Sequence, residues 1–195
     1  MISIVKTIIR ALNRLVYSIH NLILIKRKKI VYKMYPKITG KIFIYGEGKI
    51  SFGENVRINS SLPSNPIGGD AKMVISISTG ASLEVGNHVG ISNSTIVCTN
   101  HIKIGNYVKI GGNTKIYDTD FHSVEFENRR DYQKDVAVQK PVIIYDDAFI
   151  GAHSIILKGV TIGKGSIVGA GSVVTKSIPP GEIWGGNPAK FIKKI

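Results

Sequence analysis

A six-residue spacing of aliphatic side chains is the feature of this sequence that most restricts its fold. The longest run lies near the C-terminus and consists of Ile144, Ile150, Ile156, Ile162, Val168 and Val174. Shorter runs come earlier, at Phe52 and Ile58, at Val85, Ile91 and Val97, and at Ile104, Ile110 and Ile116. A helical face repeats every 3.6 residues and a strand face every two, so neither accounts for this period.

Small residues keep a fixed place relative to each aliphatic position. Glycine directly follows Phe52, Val85, Ile104, Ile110, Ile150, Ile162 and Val168. We interpret the repeat as a coil with three flat faces of six residues, whose aliphatic side chains point inward and stack on those of the next coil. Glycine and asparagine supply corner conformations that a Cβ resists. This regular phase excludes an ordinary β-sandwich.

Three segments interrupt the repeat. The phase slips by one residue between Val97 and Ile104, and residues 60–82 contain the prolines and glycines of a loop. The third interruption, residues 117–142, is polar and rich in charge. Long ordered excursions from a compact scaffold usually carry function, so we expect the chemistry there.

The positive charge of the chain is concentrated near its N-terminus. Of 26 Lys and Arg residues, ten precede the first acidic residue, Glu47, and the rest of the chain is close to balanced. Aliphatic residues at helical spacing run through the same stretch. We therefore treat residues 1–37 as a basic amphipathic helical segment and expect no nucleic-acid partner. Two interpretations stay open: the helix packs on the protein or a partner subunit, or it lies on an anionic bilayer.

The single cysteine, Cys98, excludes a disulfide framework and a cysteine-rich zinc site. The apolar run 15–25 is interrupted by His20 and Asn21 and precedes no cleavage site, so we predict no signal peptide. Nor does any stretch approach the ~20 uninterrupted apolar residues of a membrane span. We therefore expect a cytoplasmic protein, at the inner face of the membrane if the helix binds lipid.

The excursion opens with a histidine and two acids, Asp118, Asp120 and His122. Alternate residues of an extended chain project to one side, so an acid could orient the imidazole for general-base catalysis. The same three residues could be metal ligands, although no second histidine cluster supports that interpretation. The other histidines, at positions 20, 88, 101 and 153, we interpret as structural.

Residues 84–195 resemble the hexapeptide-repeat acyltransferases, in particular the galactoside, maltose and polysaccharide O-acetyltransferase branch. The motifs that carry the resemblance are Phe149-Ile150-Gly151-Ala152, Gly159-Val160-Thr161-Ile162-Gly163, Val168-Gly169-Ala170-Gly171-Ser172 and the tail segment Gly185-Gly186-Asn187-Pro188-Ala189-Lys190. The resemblance implies an all-β, left-handed parallel β-helix over residues 38–195, with the protruding loop 117–142 and a C-terminal tail, 177–195. It also implies a homotrimer with active sites between neighbouring subunits.

The resemblance further implies acetyl-CoA as donor, no required metal, and His122 as the general base. The positions that match the family's CoA contacts are Ala152, Ala170, Thr175, Lys176, Trp184 and Lys190. Packing of the tail onto the coil is an equally good interpretation of Trp184. We assign Asp120 and Asn93 to the acceptor, although Ile91 stands where sugar-specific members have an acceptor-binding asparagine. Phe149 likewise replaces a frequent tryptophan.

The sequence therefore predicts an acetyl-CoA-dependent O-acetyltransferase that modifies a saccharide hydroxyl, with a lipid-carried acceptor as a secondary hypothesis. N-acetylation of an amino sugar or sugar nucleotide is the enzymatic alternative, because an imidazole base serves either nucleophile. A catalytically silent coil used for assembly is the alternative outside enzymes. The carbonic anhydrases built on the same coil need paired zinc-binding histidines that this sequence lacks.

Overall fold

The computed structural model describes the backbone of residues 2–195 and the side chains from Thr7 onward, and three parallel sheets form its main body. The strands, numbered in chain order, visit the sheets in turn. The first sheet contains β1 (Val31–Tyr32), β4 (Lys49–Phe52), β7 (Ser82–Val85), β10 (His101–Ile104), β13 (Val142–Ile144) and β16 (Thr161–Ile162).

The second sheet contains β2 (Lys37–Gly40), β5 (Arg57–Ser60), β8 (Gly90–Ser92), β11 (Lys109–Ile110), β14 (Phe149–Ile150), β17 (Ile167–Val168), β19 (Glu182–Gly185) and the antiparallel β20 (Lys190–Lys194). The third contains β3 (Phe43–Gly46), β6 (Val74–Ile77), β9 (Thr95–Cys98), β12 (Lys115–Tyr117), β15 (Ile155–Ile156) and β18 (Val173–Val174). Strands adjacent in a sheet lie one coil apart, which confirms the predicted left-handed parallel β-helix.

The core is a set of aliphatic columns that run along the axis of the coil. In the third sheet Ile116 pairs with Ile96 on one side and Ile156 on the other, and all three are buried. In the second sheet Ile150 pairs with Ile110 and with Val168. Each coil buries its aliphatic residues only against its neighbours, so stacking stabilises the whole rod.

Ile96, and not Val97, is the inward residue at the phase slip. Ile96 and Cys98 are both buried, whereas Val97 between them pairs with Tyr117 and is partly exposed. Ile91 stacks under Ile110 and Ile96 under Ile116, so the step before Ile96 is one residue short and the extra length falls between Ile96 and Ile104, where the sequence suggested it. The error arose because an isoleucine, a valine and a cysteine in succession give no alternation of polar and apolar residues from which to read the facing.

Helix α1, Ile2–Arg27, precedes the first coil and lies against it near the end of the helix. Asn21 and Ile25 are buried there, while most of the aliphatic side chains described on the helix are exposed. By length and composition, with a mean hydropathy of 1.2, Thr7–Arg27 could cross a membrane. The expectation that no segment has this property rested on uninterrupted apolar runs and is too strict.

Two excursions leave the coil at different corners. Residues 61–72, with 3₁₀ helices at Leu62–Ser64 and Pro66–Gly68, leave between the second and third sheets. Residues 118–141, with the short helix α2 (Phe126–Arg129), leave between the third and first sheets. After β18 the tail adds β19 and β20, which continue the second sheet at its C-terminal end. We call these the lower excursion, the catalytic excursion and the tail.

Candidate active site

His122 is held by a carboxylate within the catalytic excursion. Its Nδ1 lies 2.6 Å from Oδ2 of Asp135, and the imidazole is 68% exposed whereas the carboxylate is 15% exposed. With Nδ1 donating to the carboxylate, the other ring nitrogen, Nε2, is an acceptor that no described residue occupies. An exposed imidazole in this tautomer has the geometry of a general base.

The backbone around His122 is built to hold this pair. The other carboxylate oxygen of Asp135 accepts a hydrogen bond from the amide of Ser123 at 2.7 Å. The guanidinium of Arg129 donates to the carbonyl oxygens of Ser123 and Val124, at 2.7 and 2.8 Å. The hydrogen bond from His122, followed by that from the Ser123 amide, lowers the pKa of Asp135. Asp135 is therefore a carboxylate at neutral pH and favours the Nδ1–H tautomer.

The two acids expected to orient the imidazole contact other groups, so that expectation is wrong. Asp118 is buried, and its carboxylate accepts hydrogen bonds from the amides of Thr99 and Asn100 at 2.7 and 2.8 Å. Asp120 lies 2.9 Å from Nζ of Lys158. Asp118 thus fixes the corner from which the excursion leaves, and Asp120 ties the excursion to the next coil.

Ala152 and Ala170 stack in one column at the corner between the second and third sheets. The amide of Gly171 donates to the carbonyl of Ala152, and the residues before the alanines allow close approach of the coils. A Cβ on Gly151 would lie 2.5 Å from the nitrogen of Ala170, and one on Gly111 equally close to that of Ala152. Ala152 is partly exposed and Ala170 is exposed, so this corner presents a column of small side chains on the surface of the coil.

Asn93 lies lower on the same corner and is covered by the lower excursion. Its side chain is fully buried, Nδ2 donates to the carbonyl of Asn65 at 3.0 Å, and Oδ1 has no hydrogen-bond partner. This side chain has no surface with which to contact an acceptor, contrary to our expectation. Sequence position could not reveal this, because the covering segment lies 28 residues away in the chain.

The remaining predicted cofactor contacts are divided between the corners. Thr175 and Lys176 are exposed after β18, at the same corner as Asp120 and the catalytic excursion. Lys190 begins β20 and is exposed. Trp184 is half-buried against the core, pairs with Val168, and donates its Nε1–H to Glu182 at 2.7 Å. The packing interpretation of Trp184 therefore has direct support in the structure.

The described chain does not bring the alanine column and His122 together. The column lies at the corner where the chain enters the strands of the third sheet. The catalytic excursion leaves from the corner at the other end of these strands. Within one chain, His122 contacts Asp135 and Asp120 contacts Lys158. Neither Asp135 nor Lys158 was predicted from the sequence, because no motif surrounds either residue. Among the described residues no group of three or more His, Cys, Asp or Glu side chains could hold a metal ion.

Comparison with known proteins shows similarity to proteins with hexapeptide repeats. The family model described as the hexapeptide repeat of succinyl-transferase matches residues 141–176. A 2,3,4,5-tetrahydropyridine-2,6-dicarboxylate N-acetyltransferase of Staphylococcus aureus is 56% identical over 54 residues, which cover 28% of this chain and 23% of the relative. The chain thus matches less than a quarter of the length of that curated relative.

Three solved structures resemble the fold over 62% to 87% of the chain. A hexapeptide-repeat acetyltransferase of Vibrio cholerae, complexed with acetyl-CoA, is 35% identical with a TM-score of 0.56 over 62% of this chain and 64% of its own. A mutant of AntD, an N-acyltransferase of Bacillus cereus, in complex with dTDP and CoA, is 26% identical with a TM-score of 0.66 over 87% and 88%. A maltose O-acetyltransferase of Clostridium difficile is 26% identical with a TM-score of 0.52 over 87% and 73%.

Proposed function

We propose, on the premise that the chain belongs to the hexapeptide-repeat acyltransferase family, that it is an acetyl-CoA-dependent O-acetyltransferase acting on a saccharide hydroxyl. The observation that carries the choice of oxygen is the pair of His122 and Asp135, with Nδ1 and Oδ2 only 2.6 Å apart. A hydroxyl is a poor nucleophile and needs a base during attack, whereas a neutral amine is nucleophilic enough to attack a thioester before it loses a proton. An imidazole fixed by a carboxylate suits the more demanding nucleophile.

In the proposed reaction, Nε2 of His122 accepts the hydroxyl proton while the hydroxyl oxygen bonds to the thioester carbonyl carbon. The carbon–sulfur bond then breaks, and the imidazolium returns its proton to the sulfur, which leaves as CoA thiol. Asp135 stabilises the imidazolium formed between these steps. No covalent enzyme intermediate is required, so Cys98 has no part in the chemistry.

The alanine column supports a place for the donor. We propose that the pantetheine arm follows Ala170 and Ala152, with Lys190 and the tail towards the nucleotide end. The lower excursion covers the corner below Ala152. A Cβ on Gly112 would lie 2.6 Å from the nitrogen of Gly68, and Nε2 of His153 lies 2.9 Å from the carbonyl of Ile67. The uncovered part of the column therefore ends near the coil from which the catalytic excursion leaves, and we propose that the thioester lies there.

A second copy of the chain would complete the site. The alanine column and His122 lie at the two opposite ends of the third-sheet strands. We therefore propose that the catalytic excursion of one subunit faces the column of its neighbour. A homotrimer satisfies this requirement three times with one repeated contact. Lys176 and Thr175 share the corner of His122 and would approach the donor from the neighbouring subunit.

N-acylation is the second candidate, and two of the similar proteins support it. AntD is an N-acyltransferase and the Staphylococcus aureus relative an N-acetyltransferase, although the latter matches only 54 residues. An amino sugar carried on a nucleotide would be the acceptor in that case. The same base would then remove a proton from the ammonium or from the addition intermediate.

The test is release of CoA thiol from acetyl-CoA against matched panels of sugars and amino sugars, free and nucleotide-linked. We expect turnover with hydroxyl-only acceptors, and a loss of about 10²- to 10⁴-fold in His122→Asn. His88→Asn is the matched control, because His88 only stacks on Tyr107, at 4.7 Å, and adopts a φ of +58° that asparagine tolerates. Turnover with amines alone would overturn O-acetylation, and equal rates for the two variants would overturn His122 as base.

A further inference from the structure

Helix α1 turns its polar face toward the rod. The side chain of Asn21 donates to the carbonyl of Gly40 at 2.9 Å and accepts from the amide of Ile42 at 3.2 Å. His20 lies one position earlier, with Nε2 3.1 Å from the carbonyl of Ile42. Ile25 is fully buried and Leu24 packs against the core, both near the C-terminal end of the helix. Hydrogen bonds and these two aliphatic side chains together hold that end of the helix in place.

The opposite face of α1 is aliphatic and uncovered. Eight large aliphatic side chains are between 41% and 59% exposed: Ile8, Ile9, Leu12, Leu15, Val16, Ile19, Leu22 and Ile23. A helix that packs on its own protein places such a stripe inward and its polar residues outward. Here the arrangement is reversed, so this face is suited to an apolar medium outside the chain.

A basic cleft lies between α1 and the first coils. Its volume is about 690 Å³, and its cationic lining consists of Arg10, Arg14, Lys41 and Lys72. No carboxylate lines it, and no described carboxylate lies within 4 Å of these four cations. Tyr17 and the serines of the lower excursion add hydroxyl groups. Guanidinium groups, ammonium groups and hydroxyls together are the donors that bind phosphate.

We propose that α1 lies flat in an anionic bilayer surface, with its aliphatic face in the acyl region and the basic cleft around a lipid headgroup phosphate. The argument is charge complementarity. Arg10 and Arg14 lie on the same helix as the aliphatic face, Lys41 and Lys72 line the cleft from the coil side, and residues 1–41 contain ten cations and no acid. A surface helix that combines such a face with clustered Lys and Arg binds anionic lipid.

The same contacts argue against a helix that spans the bilayer, although Thr7–Arg27 is long enough. Spanning would place Arg10 and Arg14 in hydrocarbon, where charged side chains are costly. It would also pull Asn21 from its two backbone partners on the first coil. Lying flat keeps both arginines at headgroup depth and preserves these hydrogen bonds.

Co-sedimentation of the full-length protein with vesicles tests the proposal. Vesicles of phosphatidylglycerol and phosphatidylcholine in equal parts are compared with vesicles of phosphatidylcholine alone. We expect binding to the anionic vesicles only, and a fall in affinity of roughly tenfold to thirtyfold for the double variant Arg10→Gln/Arg14→Gln. The double variant Lys103→Gln/Lys109→Gln removes the same charge from exposed positions on the coil and is expected to bind like the parent.

A second pair of changes tests the aliphatic face. Leu12→Asn/Leu15→Asn keeps the net charge, and we expect at least a tenfold loss of affinity for the anionic vesicles. Equal loss from the coil variant Lys103→Gln/Lys109→Gln would show attraction by net charge and overturn the cleft. Undiminished binding of the leucine variant would overturn insertion. Dissociation of this variant into smaller oligomers, measured by sedimentation velocity, would also overturn it, because the aliphatic face would then be covered by a second copy of the chain. Acetyl transfer to a soluble acceptor, unchanged in every variant, confirms folding and is independent of the outcome.

Discussion

Nδ1 of His122 and Oδ2 of Asp135 lie 2.6 Å apart, although thirteen residues separate the two side chains in the sequence. The carboxylate oxygen that does not contact the imidazole is held by the amide of Ser123. The pair therefore fixes both the tautomer of the imidazole and the path of the chain beside it. Asp135 is a positioning residue in this arrangement, since it acts on the reaction only through His122.

Asp135→Asn is expected to lower kcat by roughly 10²-fold at neutral pH while the KM for acetyl-CoA changes little. The amide of asparagine would donate to Nδ1, which would place the imidazole proton on Nε2 and block the base. Steady-state kinetics with acetyl-CoA as the varied substrate measures both constants. Asp131→Asn is the control in the same loop, where the Asp131 carboxylate contacts exposed Lys134 and the amide of Gln133 but not His122. A kcat equal to that of the control would contradict the positioning role.

The stabilising effect of Asp135 is expected to depend on pH in the acid range. Its pKa is lowered in the folded protein, mainly by the hydrogen bond from His122. A lowered pKa adds stability above the unfolded value, near pH 4, and that stability is lost as the pH falls through the folded value. Urea unfolding of the parent and of Asp135→Asn is therefore expected to differ at pH 5, and the difference is expected to shrink as the pH falls below 4. A difference that grows on acidification would contradict this.

The sequence was sufficient for the coil because each coil depends on its neighbours. The spacing of Ile144, Ile150 and Ile162 predicts that Ile144 pairs with Ile162, which the structure confirms. The same reasoning failed at Val97. Three apolar residues follow one another there, so the length of the preceding corner, and not the sequence pattern, determines which of them points inward. Helix α1 was also predicted, but its orientation was not, because that depends on hydrogen bonds from Asn21 to backbone atoms.

The candidate site was predictable only in part. His122 was found because it stands where the repeat breaks, which local sequence shows. Its partner Asp135 was missed and Asp120 chosen, since closeness along the chain is the one criterion a sequence offers. Lys158, on the next coil, lies 2.9 Å from Asp120, and this ion pair engages the carboxylate that was expected to contact the imidazole. Contacts between an irregular loop and a coil depend on turns that no period describes.

Cys98 is expected to be unreactive in the folded protein and dispensable for acetyl transfer. Burial, and after it the charge of Asp118, raises the pKa of the Cys98 thiol to about 12. At pH 8 the thiolate fraction is then roughly a thousandfold below that of an ordinary cysteine, so reaction with Ellman's reagent requires unfolding. Titration with and without urea measures this, and Cys98→Ala is expected to retain kcat. Rapid labelling of the native protein, or loss of turnover in the variant, would contradict these expectations.

Gly111→Ala is expected to disturb the proposed donor site from within the coil. Its Cβ would lie 2.5 Å from the nitrogen and 2.8 Å from the Cα of Ala152, so the two coils must move apart at the column. We expect destabilisation of about 1–3 kcal/mol together with weaker binding of CoA.

Gly165→Ala separates this effect from ordinary backbone strain. Gly165 has a φ of +70° and open space around its Cβ position, at a corner away from the column. A cost of about 1 kcal/mol with unchanged CoA affinity is expected there. Urea unfolding and calorimetric titration with CoA measure the two quantities for both variants. If Gly111→Ala binds CoA as tightly as Gly165→Ala does, then CoA does not run along the column of Ala152 and Ala170, and the donor must lie elsewhere on the rod.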